Sequence, residues 1–358
     1  MKKRAWTFKI ITTCLVLAAL VSFNWDRQEI ENRAFVMAMG IDIIEDDDNP
    51  FLVSFSIVDV LKLDENEGKN IMHTTQAPTL EVALSETSAK TSQKMYFAHT
   101  KAIVLGEGVL SNGDVAEGVI DTLRSRADVS LTTILMASEG KAKDIIEAKT
   151  QKDGCLGLYL ADFYNKDNVN TAAHVMRVDL KSFKADCLLP LVTLAADEKD
   201  DKDNDKDEVQ ELEVCGVAAL KGFELVRYIP QDDLGGLVWV KANASGEHVA
   251  VEGTTLKIER SKSKIDFIEN ESRLYCYINV DAAGNILERG SFKEAKLFEE
   301  KIKKEIEGLL AFLQKEGAID AFGFLGDLKK KEPNLYRQYR DDFMKDVVFV
   351  VGVDLKIK

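Results

Sequence analysis

Residues 197–208 read DEKDDKDNDKDE, a run without one apolar side chain. A segment that can bury nothing stays in water, so it is read as a linker or loop tip, taken as 197–210. The main boundary is placed there. It leaves an N-terminal α/β region over 25–196, with room for two subdomains, and a C-terminal region over 211–358 of antiparallel sheet plus one long helix.

Upstream, residues 34–44 are apolar, an acidic turn follows, and FLVSFSIVDV from Phe51 alternates through Phe51, Val53, Phe55 and Ile57. That is strand period on both sides of a turn, and predicts a hairpin. Leu80 and Leu84 share a helical face within 79–90, and KAIVL at 101–105 reads as a strand closed by Gly106. Asn112 or Asp114 can cap a helix in which Val115, Val119 and Leu123 fall four apart. A strand over 129–137 and a short helix over 141–149 complete the region.

Downstream, VCGVAAL and FELVRYI flank Lys221-Gly222 as a hairpin, and LVWVKA, HVAVEG, KIDFI and RLYCYINV read as further strands. Residues 291–294, SFKE, have capping-box form and open a long helix carrying Phe298, Ile302, Ile306, Leu310 and Leu313, with Gly317 as its stop. A shorter helix over 334–344 groups Leu335, Tyr339 and Phe343, and the chain closes on an alternating strand from Val347 to Ile357. The expected class is α+β: several domains, mixed sheets with flanking helices, and a strand-rich C-terminal half.

The 358 residues are 46% hydrophobic and 30% charged, ordinary globular usage. A formal charge of -14 repels phosphate backbones, so nucleic acid is not an expected partner. At the N-terminus Met1-Lys2-Lys3-Arg4 precedes the uncharged run IITTCLVLAALVSF, ending at Phe23. This is the grammar of an export signal, and residues 1–24 are assigned as signal peptide or membrane anchor. Basic residues ahead of the apolar run keep the extreme N-terminus cytoplasmic and put the body outside.

No enzymatic constellation stands out. Cys14, Cys155, Cys187, Cys215 and Cys276 lack zinc spacing, and the last four read as free thiols rather than a disulfide framework. His73, His99, His174 and His248 are dispersed. His99, just before a strand, reads as a hydrogen-bonded structural residue rather than a general base. Asp201, Asp203 and Asp205 match the first ligands of a calcium loop, but Lys206 replaces its glycine and Leu212 its bidentate glutamate. Dinucleotide, P-loop, zinc-protease and nucleophile-elbow signatures are missing from the sequence. No catalytic, cofactor-binding or metal-binding residue is expected.

Trp25-Asp26-Arg27-Gln28-Glu29-Ile30-Glu31-Asn32-Arg33-Ala34, followed by Met39-Gly40-Ile41-Asp42, resembles the start of mature Ger(x)C proteins, the C subunits of spore germinant receptors. KTSQKMYFAHTKAIVLGEGV, which holds His99, and ADVSLTTILMASEGKAKDIIEA look like the family's N-terminal region. CGVAALKGFELVRYI, SKSKIDFIENESRLYCYINVDAAGNILE and AFGFLGDLKKKEPNLYRQYRDD are similar to its later parts, so the likeness runs nearly end to end. Trp25, Asp26, Arg27, Glu29, Gly40, Asp42 and His99 are the candidate motif residues it singles out.

The resemblance implies a non-enzymatic body on the outer face of the spore inner membrane, working with membrane-embedded A and B subunits. Germinant recognition would fall mainly to those subunits; it does not fix whether this chain touches a germinant. One departure concerns lipidation. The family carries a lipidated cysteine just before the Trp-Asp pair, whereas Phe23 and Asn24 stand here. Cys14 lacks the small residue usual ahead of such a cysteine, so retention of the leader as an anchor is expected instead. The rival expectation is an exported, membrane-associated protein that binds a small solute.

Overall fold

The strand period on either side of the acidic turn does produce a hairpin. In the computed structural model, which describes Thr13 and residues 33–358 apart from 47, 59–69, 91–93, 149–154, 165–175, 196–210, 242–243 and 289–294, β1 (Arg33–Ile43) and β2 (Phe51–Val58) pair antiparallel with Met39 opposite Phe55. The turn is closed by Asp46, whose carboxylate accepts the amides of Asp48 and Asn49 at 3.0 and 2.9 Å. The leader over 1–24 apart from Thr13, the motif residues Trp25, Asp26, Arg27 and Glu29, the pair Phe23 and Asn24, Cys14, His174, the capping box at 291–294 and the acidic run itself lie outside the described residues.

Beside β1 and β2 the sheet grows in both directions. β3 (Asn70–Ala77) pairs antiparallel with β2, while β4 (Lys94–Tyr96) and β5 (Ala102–Leu105) lie parallel to β1. β6 (Ile134–Ser138) and β7 (Cys187–Leu194) continue the parallel run, and β8 (Leu212–Lys221) and β9 (Glu224–Pro230) end it antiparallel. Among the described residues this sheet has nine strands, in the order β3-β2-β1-β5-β6-β7-β8-β9 with β4 also on β1.

Parallel strands need crossovers, and the helices that make them cover both faces. α1 (Leu80–Lys90), α2 (Glu107–Leu110) and α3 (Gly113–Ser125) bury Leu84, Leu110 and Ile120 against Met39, Ile41 and Phe55. Asn112 caps α3, its side chain accepting from the amides of Asp114 and Val115. On the other face α4 (Ala142–Glu147) and α5 (Leu156–Asp162) bury Ile146 and Leu160 against Ala38 and Val104.

The second sheet holds β10 (His248–Val251), β11 (Thr254–Asn270), β12 (Arg273–Glu288) and β13 (Val348–Ile357), in that order. β11 and β12 form a long antiparallel hairpin turning at Glu271 and Ser272, both at positive φ, whereas β13 returns parallel to β12. Antiparallel pairing was expected throughout; the helical excursion between β12 and β13 carries the chain back to the starting end and makes the last pair parallel. α7 (Ala295–Lys315) buries Phe298, Ile302, Ile306, Leu309, Leu310 and Leu313 as one stripe. α8 (Phe324–Lys331), α9 (Pro333–Tyr339) and α10 (Phe343–Asp346) follow. One apolar cluster continues from Ala38 and Val104 in the first sheet through Trp239 to Ile278 and Ile306.

Several local readings change. The acidic run joins β7 to β8, which are neighbours in one sheet with Leu189 opposite Ala218. The sheets therefore part later, between Pro230 and His248; a charge run marks chain that cannot pack, wherever it falls. LVWVKA, read as a strand, lies largely in α6 (Gly235–Val240). Leu237, Val238, Trp239 and Val240 are all buried, which removes any alternation, and a Cβ on Gly236 would sit 2.4 Å from the carbonyl oxygen of Glu305, so only glycine lets α6 approach α7 so closely. The strand expected over 129–137 begins at Ile134 after a turn, and the helix expected over 334–344 is divided into α9 and α10.

Candidate functional site

Two of the motif residues meet at the C-terminal end of β1. Asp42, only 2% exposed, accepts the amides of Ala142 at 2.7 Å and Lys143 at 2.8 Å, the first residues of α4. Burial raises its carboxyl above the ordinary aspartate range, while the two donors pull it back down. Gly40, two residues earlier on the same face, lies under α4: a Cβ there would stand 2.8 Å from Ile146 Cγ1. Gly106, at the end of β5, leaves room for the carboxylate, since its Cβ would fall 2.0 Å from Asp42 Oδ1. The amide of Gly106 donates to Ile41 and that of Glu107 to Gly140, both at 2.9 Å. Gly40 and Asp42 thus lock three chain segments together around a charge that carries no reactive partner.

His99 lies at the other end of β1, about 23 Å away at strand rise. Its ring is 5.6 Å from Phe35 and 5.5 Å from Tyr96, and the Arg33 guanidinium stands 5.2 Å from the Tyr96 ring centre. Thr100 Oγ1 donates to the Val36 carbonyl at 3.1 Å and pins this loop to β1. His99 is exposed and in aromatic contact, in place of the hydrogen-bonded role expected of it. His73 contacts Thr75 Oγ1 at 3.3 Å, and no group of three His, Cys, Asp or Glu among the described residues could hold a metal ion.

A cleft of about 200 Å³ that sequence reasoning missed opens between α6, β10 and α7, lined by Gln231, Trp239, Glu247, His248, Lys301 and Glu305. Trp239 Nε1 donates to Glu305 Oε2 at 3.1 Å, and Lys301 Nζ donates to the Ala250 carbonyl at 3.0 Å. Burial, then the nearby Glu305 charge, push Glu247 up to about 7. That is a proton-holding acid, but no serine, threonine or cysteine lines the cleft beside it. The only advance signal was Glu247-His248 at a strand start, too common a pair to single out.

Polar groups add to the apolar joint between the two sheets. Asp186 accepts Lys221 Nζ at 2.6 Å and the Asp320 amide at 3.2 Å, while the Asp320 carboxylate caps α8 through Phe324 and Leu325 at 2.8 and 2.9 Å. Cys187 and Cys276 are buried free thiols; Cys155 and Cys215 are half-buried and also free.

Comparison with known proteins places these features in context. Residues 26–193 match the spore germination protein N-terminal domain, and residues 215–358 match the spore germination B3/GerAC-like C-terminal domain. Spore germination protein KC of Bacillus subtilis (strain 168) is 22% identical over 399 aligned residues, covering 97% of this chain and 94% of the relative. The crystal structure of the GerBC protein covers 90% of this chain and 98% of its own, with a TM-score of 0.53 at 20% identity, a likeness of fold.

Proposed function

We propose, from the premise that the chain belongs to the GerAC family of spore germination proteins, that it is the C subunit of a spore germinant receptor, a non-enzymatic component held at the outer face of the spore inner membrane. There it supports assembly and germinant response together with A and B membrane subunits. The observation that carries the reading is the match of both family domains, in order, across nearly the whole chain. The motif geometry is consistent with it: Gly40 and Asp42 serve packing, and Glu247, the acid raised to about 7, has no serine, threonine or cysteine beside it in the cleft. No helix among the described residues is long and apolar enough to cross a membrane, so attachment is assigned to the leader over 1–24.

Deletion of the gene from its own spore-forming host tests this. Spores should lose the response to at least one germinant while retaining resistance and the response to others, and the full chain should restore it. A deletion strain with unchanged germination toward every class of germinant, in a host without a second copy, contradicts the assignment.

A further inference from the structure

The two ends of the first sheet differ in chemistry. β1, β5, β6 and β7 are parallel, so all four begin at one end and finish at the other. The starting end carries Arg33, Phe35, Tyr96 and His99, in mutual ring and cation contact. Lys94 and Lys101 flank them. Of the seven large apolar side chains exposed among the described residues, three gather around the same end. Ile71 is aligned through Ile57 with Val36; Leu131 lies in the loop whose Thr133 hydroxyl donates to Thr100; Leu158 follows Gly157, which abuts Met37. The finishing end is where the chain leaves β7 at Leu194 toward the acidic run 197–208.

Aromatic rings, cations and isolated aliphatic side chains at one level are the chemistry of the membrane–water interface. The anionic run departs from the far end, where an anionic surface would repel it least. Chain length agrees: nine residues lie between Phe23 and Arg33, and the ten steps they make, at no more than ~3.6 Å each, reach at most about 36 Å. A leader ending at Phe23 cannot hold the finishing end against the bilayer without spanning the length of the sheet as well.

We propose that the end of the first sheet bearing Arg33, Phe35, Tyr96, His99 and Leu131 rests on the headgroup zone of an anionic phospholipid bilayer. The inference rests on the leader-anchored reading given above and adds the orientation of the body. The bilayer is preferred over a protein occupant because a cluster of cations and rings stands with separate aliphatic residues on other elements, rather than one continuous apolar patch.

Hydrogen exchange of the full chain tests it, comparing detergent micelles with nanodiscs of phosphatidylcholine alone and of phosphatidylcholine with phosphatidylglycerol. Amides of 96–101 and 129–133 should slow by about tenfold in the anionic discs and less in neutral ones, while 255–270 stay unchanged. Replacing Tyr96 and Leu131 together by Ser, both partly or wholly exposed, should remove most of that slowing and leave exchange in detergent as before. A chain that enters the discs with no slowing at either segment overturns the docking and leaves anchoring intact. Failure to enter the discs at all overturns anchoring, and the docking with it. Slowing that needs a co-reconstituted polytopic protein reassigns the surface to that protein and overturns the lipid occupant.

Discussion

The Asp42 carboxylate accepts the amide of Ala142 at 2.7 Å from a position one hundred residues earlier in the chain. That bond, with its companion to Lys143, starts α4 and fixes it against the end of β1. Asp42→Ala leaves two amides without their acceptor, and the expected loss is about 3 kcal/mol. Asp42→Asn keeps one acceptor oxygen and should lose about 1–2 kcal/mol. Urea unfolding of the full chain in mild detergent checks both, and equal losses would mean that charge, not acceptor geometry, matters there.

Gly106→Ala drives a methyl to within 2.0 Å of Asp42 Oδ1. Overpacking against a fixed carboxylate should destabilise by about 3 kcal/mol. Because the clash is with Asp42 itself, the double variant Gly106→Ala/Asp42→Ala should be less destabilised than the sum of the single variants, by about 1 kcal/mol or more. Simple additivity in the same unfolding assay would contradict the contact.

Glu247 titrates in the folded protein near 7, against an ordinary 4.5. Asp232, His248, Lys301 and Glu305 share the cleft with it. Below pH 4.5 the acid is protonated whether folded or not; between there and about 7 the folded state retains a proton that the unfolded chain has released. Its contribution to stability is thus present at low pH and lost as pH rises through that window. Glu247→Gln should flatten this part of the melting-temperature profile and raise its upper end, and an unchanged profile would place the titration elsewhere.

Burial pushes the Cys187 and Cys276 thiols up to about 12. At pH 8 about one in ten thousand of each would be ionised, so neither should react with Ellman's reagent while the protein is folded. Both should react at once in denaturant. Mass mapping of labelled peptides checks this, and rapid labelling of either in the native protein would show that its surroundings open.

Much of this architecture is legible in the residues because period and burial coincide. The α7 stripe carries one buried face that sequence spacing reveals, the β1–β2 and β8–β9 hairpins show as apolar runs on either side of polar turns, and Asn112 shows as a capping residue type ahead of a helical period. The failures share a cause. β3, which reads NIMHTTQA, is too polar to announce itself and is a strand because β2 offers it an edge. Leu237, Val238, Trp239 and Val240 are all buried, so their pattern cannot separate helix from strand. At the site level, motif likeness picked out Gly40, Asp42 and His99, but linear proximity could not show that the first two grip α4 while the third joins an aromatic cluster at the opposite end. Glu247 stayed invisible because its perturbation comes first from burial and then from Glu305, on a helix brought beside it, and both are set only by the fold.

The central claim is that this chain works as a membrane-held subunit through the proteins it contacts. Affinity purification of the tagged full chain from detergent-solubilised spore inner membranes measures that directly. The account predicts that polytopic A- and B-type subunits are recovered with it in comparable amounts. Recovery of the chain alone, from the soluble fraction of spores that germinate normally, would contradict it.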